Sequence, residues 1–97
     1  MHLINNLVFE WDGEKAARNV EKHQVSFEEA ATVFDDPIYI TFLDEEHSLD
    51  EERYITLGLS SQGRLLMLAH TEREGRIRII SARVATKKEQ NFYAEAN

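Results

Sequence analysis

Three β-rich stretches, Arg53 to Leu59, Leu65 to Thr71 and Ile77 to Arg83, are separated by very short connectors, Ser61-Gln62-Gly63 and Arg73-Glu74-Gly75. Each connector ends in the glycine that tight hairpins need, and strands this closely spaced can only run antiparallel as neighbours. With Gln62-Gly63 and Glu74-Gly75 as two-residue turns, Arg53 falls opposite Glu72, Ile55 opposite His70, His70 opposite Ile79, and Leu66 opposite Arg83. One face then carries Ile55, Leu57, Leu59, Leu66, Leu68, Ile77 and Ile79. The same face holds Arg53, Glu72 and His70 at one end and Arg83 at the other. The opposite face holds Tyr54, Thr56, Met67, Thr71, Arg78 and Ile80. A three-residue turn would reverse the faces of one strand.

The remaining elements follow from local signals. Leu7 to Trp11 is a short apolar run that reads as a strand, and Asp12 is an N-cap. Gly13 to His23 reads as a helix with Ala16, Ala17 and Val20 at helical spacing. Ser26 with Glu29 forms a capping box for a second helix lined by Phe27, Ala30, Ala31 and Phe34, and Asp35-Asp36-Pro37 stops it. Ile38 to Leu43 reads as a strand, Asp44 to Glu52 as an acidic loop, and Thr86 to Glu95 as a helix with a Thr86/Glu89 capping box. The order β-α-α-β-β-β-β-α describes an α+β domain. It is a small antiparallel sheet, a meander, with two N-terminal helices and one C-terminal helix on one side.

At 97 residues the chain reads as one domain, residues 1–97. It has no cysteine, which excludes a disulfide framework, a thiolate metal site and a thiol nucleophile, and points to a reducing compartment. Met1 to Glu10 does not have the pattern of a signal peptide, and no stretch approaches the ~20 apolar residues of a membrane span. The net charge of −7 is unevenly spread: residues 1–63 carry −10, residues 64–88 carry +5, and the last nine carry −2. A basic segment on an acidic body is either a solvated strand edge or a binding surface for an anion.

Polar side chains interrupt the apolar strands and need partners or water. Arg53 and Glu72 read equally as a cross-strand ion pair or as site residues. His70 reads as a satisfied core histidine or as a titrating group, and Arg78 and Arg83 as snorkelling or as phosphate-binding cations. Trp11 reads as a core anchor. The cluster Asp44-Glu45-Glu46-His47 lacks the ligand periodicity of a calcium loop, and no metal site is expected.

Five segments in fixed order resemble the BrnT toxins of type II toxin–antitoxin systems. They are Phe9-Glu10-Trp11-Asp12; Lys15 and Asn19 leading to Lys22-His23; Val25-Ser26-Phe27-Glu28-Glu29-Ala30 with Val33-Phe34-Asp35-Asp36-Pro37; Glu52-Arg53 before Ile55-Thr56-Leu57-Gly58; and His70-Thr71-Glu72 with Ile77-Arg78-Ile79-Ile80-Ser81-Ala82-Arg83, Ala85-Thr86 and Glu89. The resemblance implies a RelE-like fold and a cytoplasmic endoribonuclease that needs neither metal nor organic cofactor. It also implies a BrnA-like ribbon-helix-helix antitoxin, which binds operator DNA with the toxin, and no membrane partner. In such a site the RNA 2′-hydroxyl is the nucleophile. Arg78 and Arg83 would hold phosphate with Arg53 as a third cation, His70 would act as acid or base, and Glu72 would orient it or serve as base. Lys15, Thr71, Lys87, Lys88 and Tyr93 would contact RNA or antitoxin. Two alternatives are a catalytically inactive homologue that only binds a ribbon-helix-helix repressor, and a metal-dependent hydrolase built on His47 and His70. The scatter of the histidines speaks against the second.

Overall fold

The structure is a computed structural model that describes residues 2–4 and 6–96; Met1 and Asn5 of the N-terminal stretch lie outside the described residues. The described elements are β1 (His2–Ile4), β2 (Leu7–Glu10), α1 (Gly13–His23), α2 (Phe27–Ala31) with a 3₁₀ turn (Thr32–Asp35), and β3 (Ile40–Leu43). After these come a second 3₁₀ turn (Glu45–His47), β4 (Tyr54–Leu59), β5 (Leu65–Arg73), β6 (Arg76–Val84) and α3 (Lys87–Ala96). Six strands form one sheet in the order β1-β2-β6-β5-β4-β3. The sheet is mixed, not purely antiparallel, because β2 runs parallel to β6. The chain leaves β2 through both N-terminal helices and the meander before it returns as β6. That long crossover allows a parallel pair which no local turn signal announces.

Register is set differently by the two hairpins. Glu74 and Gly75 both have positive φ, 52° and 78°, and make the expected two-residue turn, so His70 lies opposite Ile79. The other connector is one residue longer. Ser60 and Arg64 close it, Gly63 has φ 77°, and Tyr54 rather than Ile55 lies opposite His70. The whole of β4 therefore turns over relative to the expected map. Arg53, which precedes Tyr54, is carried to the Thr71 face, and the expected Arg53–Glu72 pair does not form.

A second correction comes from a bulge. The β5–β6 register shifts between Ala69 and His70, and the extra residue lies in β6, so Leu66 pairs with Val84 and Met67 with Arg83. Strict alternation would put Arg78 and Arg83 on opposite faces. The bulge puts both on the Thr71–Met67 face.

The hydrophobic core lies on the other face. Leu66, Leu68, Ile79 and Ala82 from the sheet meet Val25, Phe27, Ala30, Ala31, Val33 and Phe34, with Phe9 from β2. Ser26 Oγ caps α2 by accepting from the Glu29 N–H at 3.0 Å. Val20 does not line the inner face of α1 as its spacing suggests: it is 47% exposed, and Asn19 is buried instead. Its carboxamide donates to Val25 O and Ala82 O at 2.9 and 2.8 Å and accepts from the Ala82 N–H at 3.2 Å. It thereby satisfies the backbone of β6 where β2 no longer covers it. Nor do the helices share one side: Phe92 of α3 meets Ile40, Phe42 and Leu57 on the face away from α1 and α2.

Candidate active site

The open sheet face gathers cations where β5 turns into β6. Arg73 lies opposite Arg76, and Thr71 opposite Arg78. The parallel pairing of β2 and β6 sets Glu10 beside Arg78. Arg76 Nε donates to Glu10 Oε1 at 2.5 Å and Arg78 Nη1 to Glu10 Oε2 at 2.9 Å. Arg73 holds Glu51 in a two-pronged contact at 2.8 and 2.9 Å. Hydrogen bonds from Arg76 and then Arg78 keep the Glu10 carboxyl below its usual range. Arg73 does the same to Glu51, helped by the charges of Arg53 and Arg78. Four guanidiniums thus lie about Glu10 and Glu51, and Glu74 is a third carboxylate, 3.4 Å from Arg76. Thr71 beneath them is 2% exposed, and its Oγ1 is the one buried side-chain polar atom without a hydrogen-bond partner among the described residues.

Arg83 lies on the same face but belongs to a separate pair. Its two Nη atoms donate to Glu89 of α3 at 2.8 and 3.0 Å. Glu89 also completes the expected capping box with Thr86, at 2.8 and 3.2 Å. Arg78 and Arg83 therefore share a face without sharing a carboxylate. Lys87 and Lys88 are exposed on the first turn of α3. Tyr93 is buried, and its hydroxyl donates to Asp36, tying α3 to the segment that ends the second helix.

His70 is not among the arginines. It points to the helix-covered face, is 5% exposed, and its Nε2 lies 2.7 Å from Thr56 Oγ1. Thr56 in turn bonds Thr41 at 2.7 Å. Desolvation pushes the imidazole down to about 4, so it is neutral at pH 7. The expected convergence of His70 with Arg78 and Arg83 fails because alternate residues of β5 face opposite ways: His70 inward, Thr71 outward. Glu72 follows His70 to its side, where both line a cleft of about 350 Å³ with Phe34, Tyr39, Tyr54 and Ile77.

Two further groups are on the surface. Lys15, Arg18, Asn19, Lys22 and His23 of α1 line a groove against Ile80 and Ser81 at the bulge. Asp44, Glu46 and His47 bring ligand atoms within 4.8 Å of one another, with Asp44 and His47 2.9 Å apart.

A family model described as the ribonuclease toxin BrnT of type II toxin–antitoxin systems matches residues 11–89. The chain belongs to the BrnT family. Among solved structures it is similar to the crystal structure of the Brucella abortus ribonuclease toxin BrnT. The TM-score is 0.64 at 17% identity, over 84% of this chain and 99% of that one, and the likeness concerns the fold. The comparison with curated proteins finds no match. Membership makes this a ribonuclease toxin with an RNA substrate and an antitoxin partner. No helix among the described residues is long and apolar enough to cross a membrane.

Of the residues named from sequence, Arg53, Thr71 and Arg78 come together on this open face, although the expected register put Arg53 on the other one. Glu10, Glu51, Arg73 and Arg76 beside them were not named as site residues. The signal for Glu10 was present in the Phe9-Glu10-Trp11-Asp12 segment, but its position depends on a parallel strand pair that the local sequence does not reveal. Arg73 and Arg76 were read only as turn flanks.

Proposed function

We propose that this BrnT toxin is a metal-independent endoribonuclease of the RelE-like kind, residues 1–97 acting as one domain in the cytoplasm. The observation that carries the reading is the cluster of Arg53, Arg73, Arg76 and Arg78 around Glu10 and Glu51 on an open sheet face. Arg76 and Arg78 hold the scissile phosphate and stabilise the charge that builds on it, with Arg53 as a further cation. Glu10, ionised at neutral pH, takes the proton of the 2′-hydroxyl. The 2′-oxygen attacks phosphorus, the bond to the 5′-oxygen breaks, and the leaving oxygen takes a proton from water. The products are a 2′,3′-cyclic phosphate and a 5′-hydroxyl. Arg83, Lys87 and Lys88 contact the backbone further along the strand. Lys15 serves as an RNA or antitoxin contact, whereas Thr71 and Tyr93 are buried and act indirectly, Thr71 beneath the arginines and Tyr93 by holding α3.

The acidic body, −10 over residues 1–63, suits a basic partner and supports neutralisation by a BrnA-like ribbon-helix-helix antitoxin that brings the complex to operator DNA. Purified chain with EDTA and a mixed-sequence RNA tests the reading. Cleavage to cyclic phosphate ends, lost in Arg78→Ala and Glu10→Gln, is expected; undiminished cutting by both variants rejects it. One observation favours the inactive-partner reading: Arg73, Arg76, Arg78 and Arg83 are already paired with carboxylates. Tight antitoxin binding with no cleavage at any protein concentration selects that reading.

A further inference from the structure

The cleft on the helix-covered side of the sheet has the composition of a base-reading pocket. Its wall is aromatic. Phe34 packs edge-on against both Tyr39 and His70, with centroids 5.1 and 5.5 Å apart, and Tyr54 stacks on His70 at 5.9 Å. Tyr39 is 40% exposed, which leaves ring surface open for a planar ligand. The mouth carries one charged group, Glu72. It is exposed and, like its neighbour Glu52, has no side-chain hydrogen bond or ion pair among the described residues, whereas Glu10, Glu51 and Glu74 at the same end are engaged by arginines. A carboxylate only accepts, so its complement is a planar ring whose edge presents N–H donors. Guanine offers two adjacent donors, N1–H and the 2-amino group, that match both oxygens of one carboxylate. Adenine and cytosine offer an amino group beside an acceptor, which a carboxylate repels.

Strand alternation joins this cleft to the arginine face. Tyr54, Glu72 and Ile77 point into the cleft, while Arg53, Arg73 and Arg76, each adjacent to one of them in the chain, point to the other side. An RNA strand crossing this end of the sheet can keep its phosphate on the arginines and turn one base inward. We infer that the Tyr39–Tyr54–Glu72 cleft binds a guanine base next to the phosphate that is cut. The inference rests on RNA being the substrate and adds a specificity-determining subsite to it.

The test titrates the intact protein with 3′-GMP, 3′-AMP, 3′-CMP and 3′-UMP by calorimetry, in EDTA, and maps cut sites on RNA of randomised sequence. The guanine nucleotide is expected to bind about tenfold or more tightly than the others, and cuts to cluster beside guanine. Glu72→Gln should remove that preference, while Arg78→Ala should weaken all four nucleotides alike. Because Glu72 is exposed, thermal melting of Glu72→Gln should match the parent; Tyr39→Leu serves as a second variant that weakens stacking without charge change. Equal binding of the four nucleotides, a preference for adenine or cytosine, or a guanine preference that survives Glu72→Gln overturns the inference. Cleavage without base preference rejects the subsite and keeps the nuclease. Glu72-dependent guanine binding by a protein that cuts nothing rejects the nuclease and keeps the subsite.

Discussion

Two sets of cations meet solvent in this BrnT toxin, and they are held differently. Arg73, Arg76, Arg78 and Arg83 on the sheet each contact a carboxylate through geometry fixed by strand pairing or by α3. Lys15, Arg18 and Lys22 on α1 form no salt bridge among the described residues, although they line one groove. The sheet arginines are oriented before any ligand arrives, which is what stabilising a transition state requires. The α1 cations are free charges on flexible stems, suited to attracting a polyanion without orienting it. On the proposed reading, chemistry belongs to the sheet and loose backbone attraction to the helix.

The largest effect should come from the sheet. Arg78→Ala is expected to lower the cleavage rate by about 10²–10³, the cost of removing one preorganised donor. Stability should change little, because a partly exposed pair contributes about 0–1 kcal/mol. A circular-dichroism melt beside the kinetic assay separates the two. An Arg78→Ala enzyme that cuts normally while a Lys15/Arg18/Lys22 triple alanine variant cuts nothing would reverse the comparison. The acid limb of the cleavage profile should lie below the ordinary Glu value of 4.5, since Arg76 and Arg78 favour the ionised form of Glu10.

Next in size is a pH effect on folding from His70, which belongs to neither cation set. Its folded value is about 4 against 6.5 for an unhindered histidine, so above pH 6.5 both folded and unfolded forms are neutral and nothing is lost. As pH falls from 6.5 toward 4, the unfolded chain binds a proton that the folded chain refuses. Stability should drop by about 3 kcal/mol across that window. Urea unfolding at pH 7.5 and pH 4 checks this, with His70→Gln as the control that lacks this share of the drop. Equal drops in both proteins would return the proton-carrying role to His70.

A smaller effect belongs to the α1 groove. The triple alanine variant should bind RNA about tenfold more weakly at moderate salt, with the slope of log affinity against log salt shallower by about 2. Filter binding at several salt concentrations measures it; an unchanged slope would mean that RNA never reaches α1. Smallest is the cap of α3. Thr86→Ala should cost about 1 kcal/mol of stability and leave the Arg83–Glu89 pair in place, readable from urea midpoints.

Local chemistry was legible in the residues themselves. Ser26 and Thr86 announce helix starts because a side-chain oxygen must meet amides that the helix leaves open, and both caps form. Glu74-Gly75 announces a tight turn because few residues tolerate positive φ, and the turn forms. The BrnT resemblance was legible as well, since it rests on the order of segments along one chain.

Tertiary structure alone decided where those segments' side chains meet. One additional residue in the Ser61–Gly63 turn reversed β4, and one bulge residue in β6 brought Arg83 to the face of Arg78. Pairing β2 with β6 delivered Glu10 to arginines 66 and 68 positions away. The physical reason is that a strand's side chains alternate with a period of two, so a single-residue change in register exchanges core for surface. Which register wins is set by what each strand packs against, α1 and α2 for β6, the first 3₁₀ turn and α3 for β4, a property of distant residues that no short stretch of sequence contains.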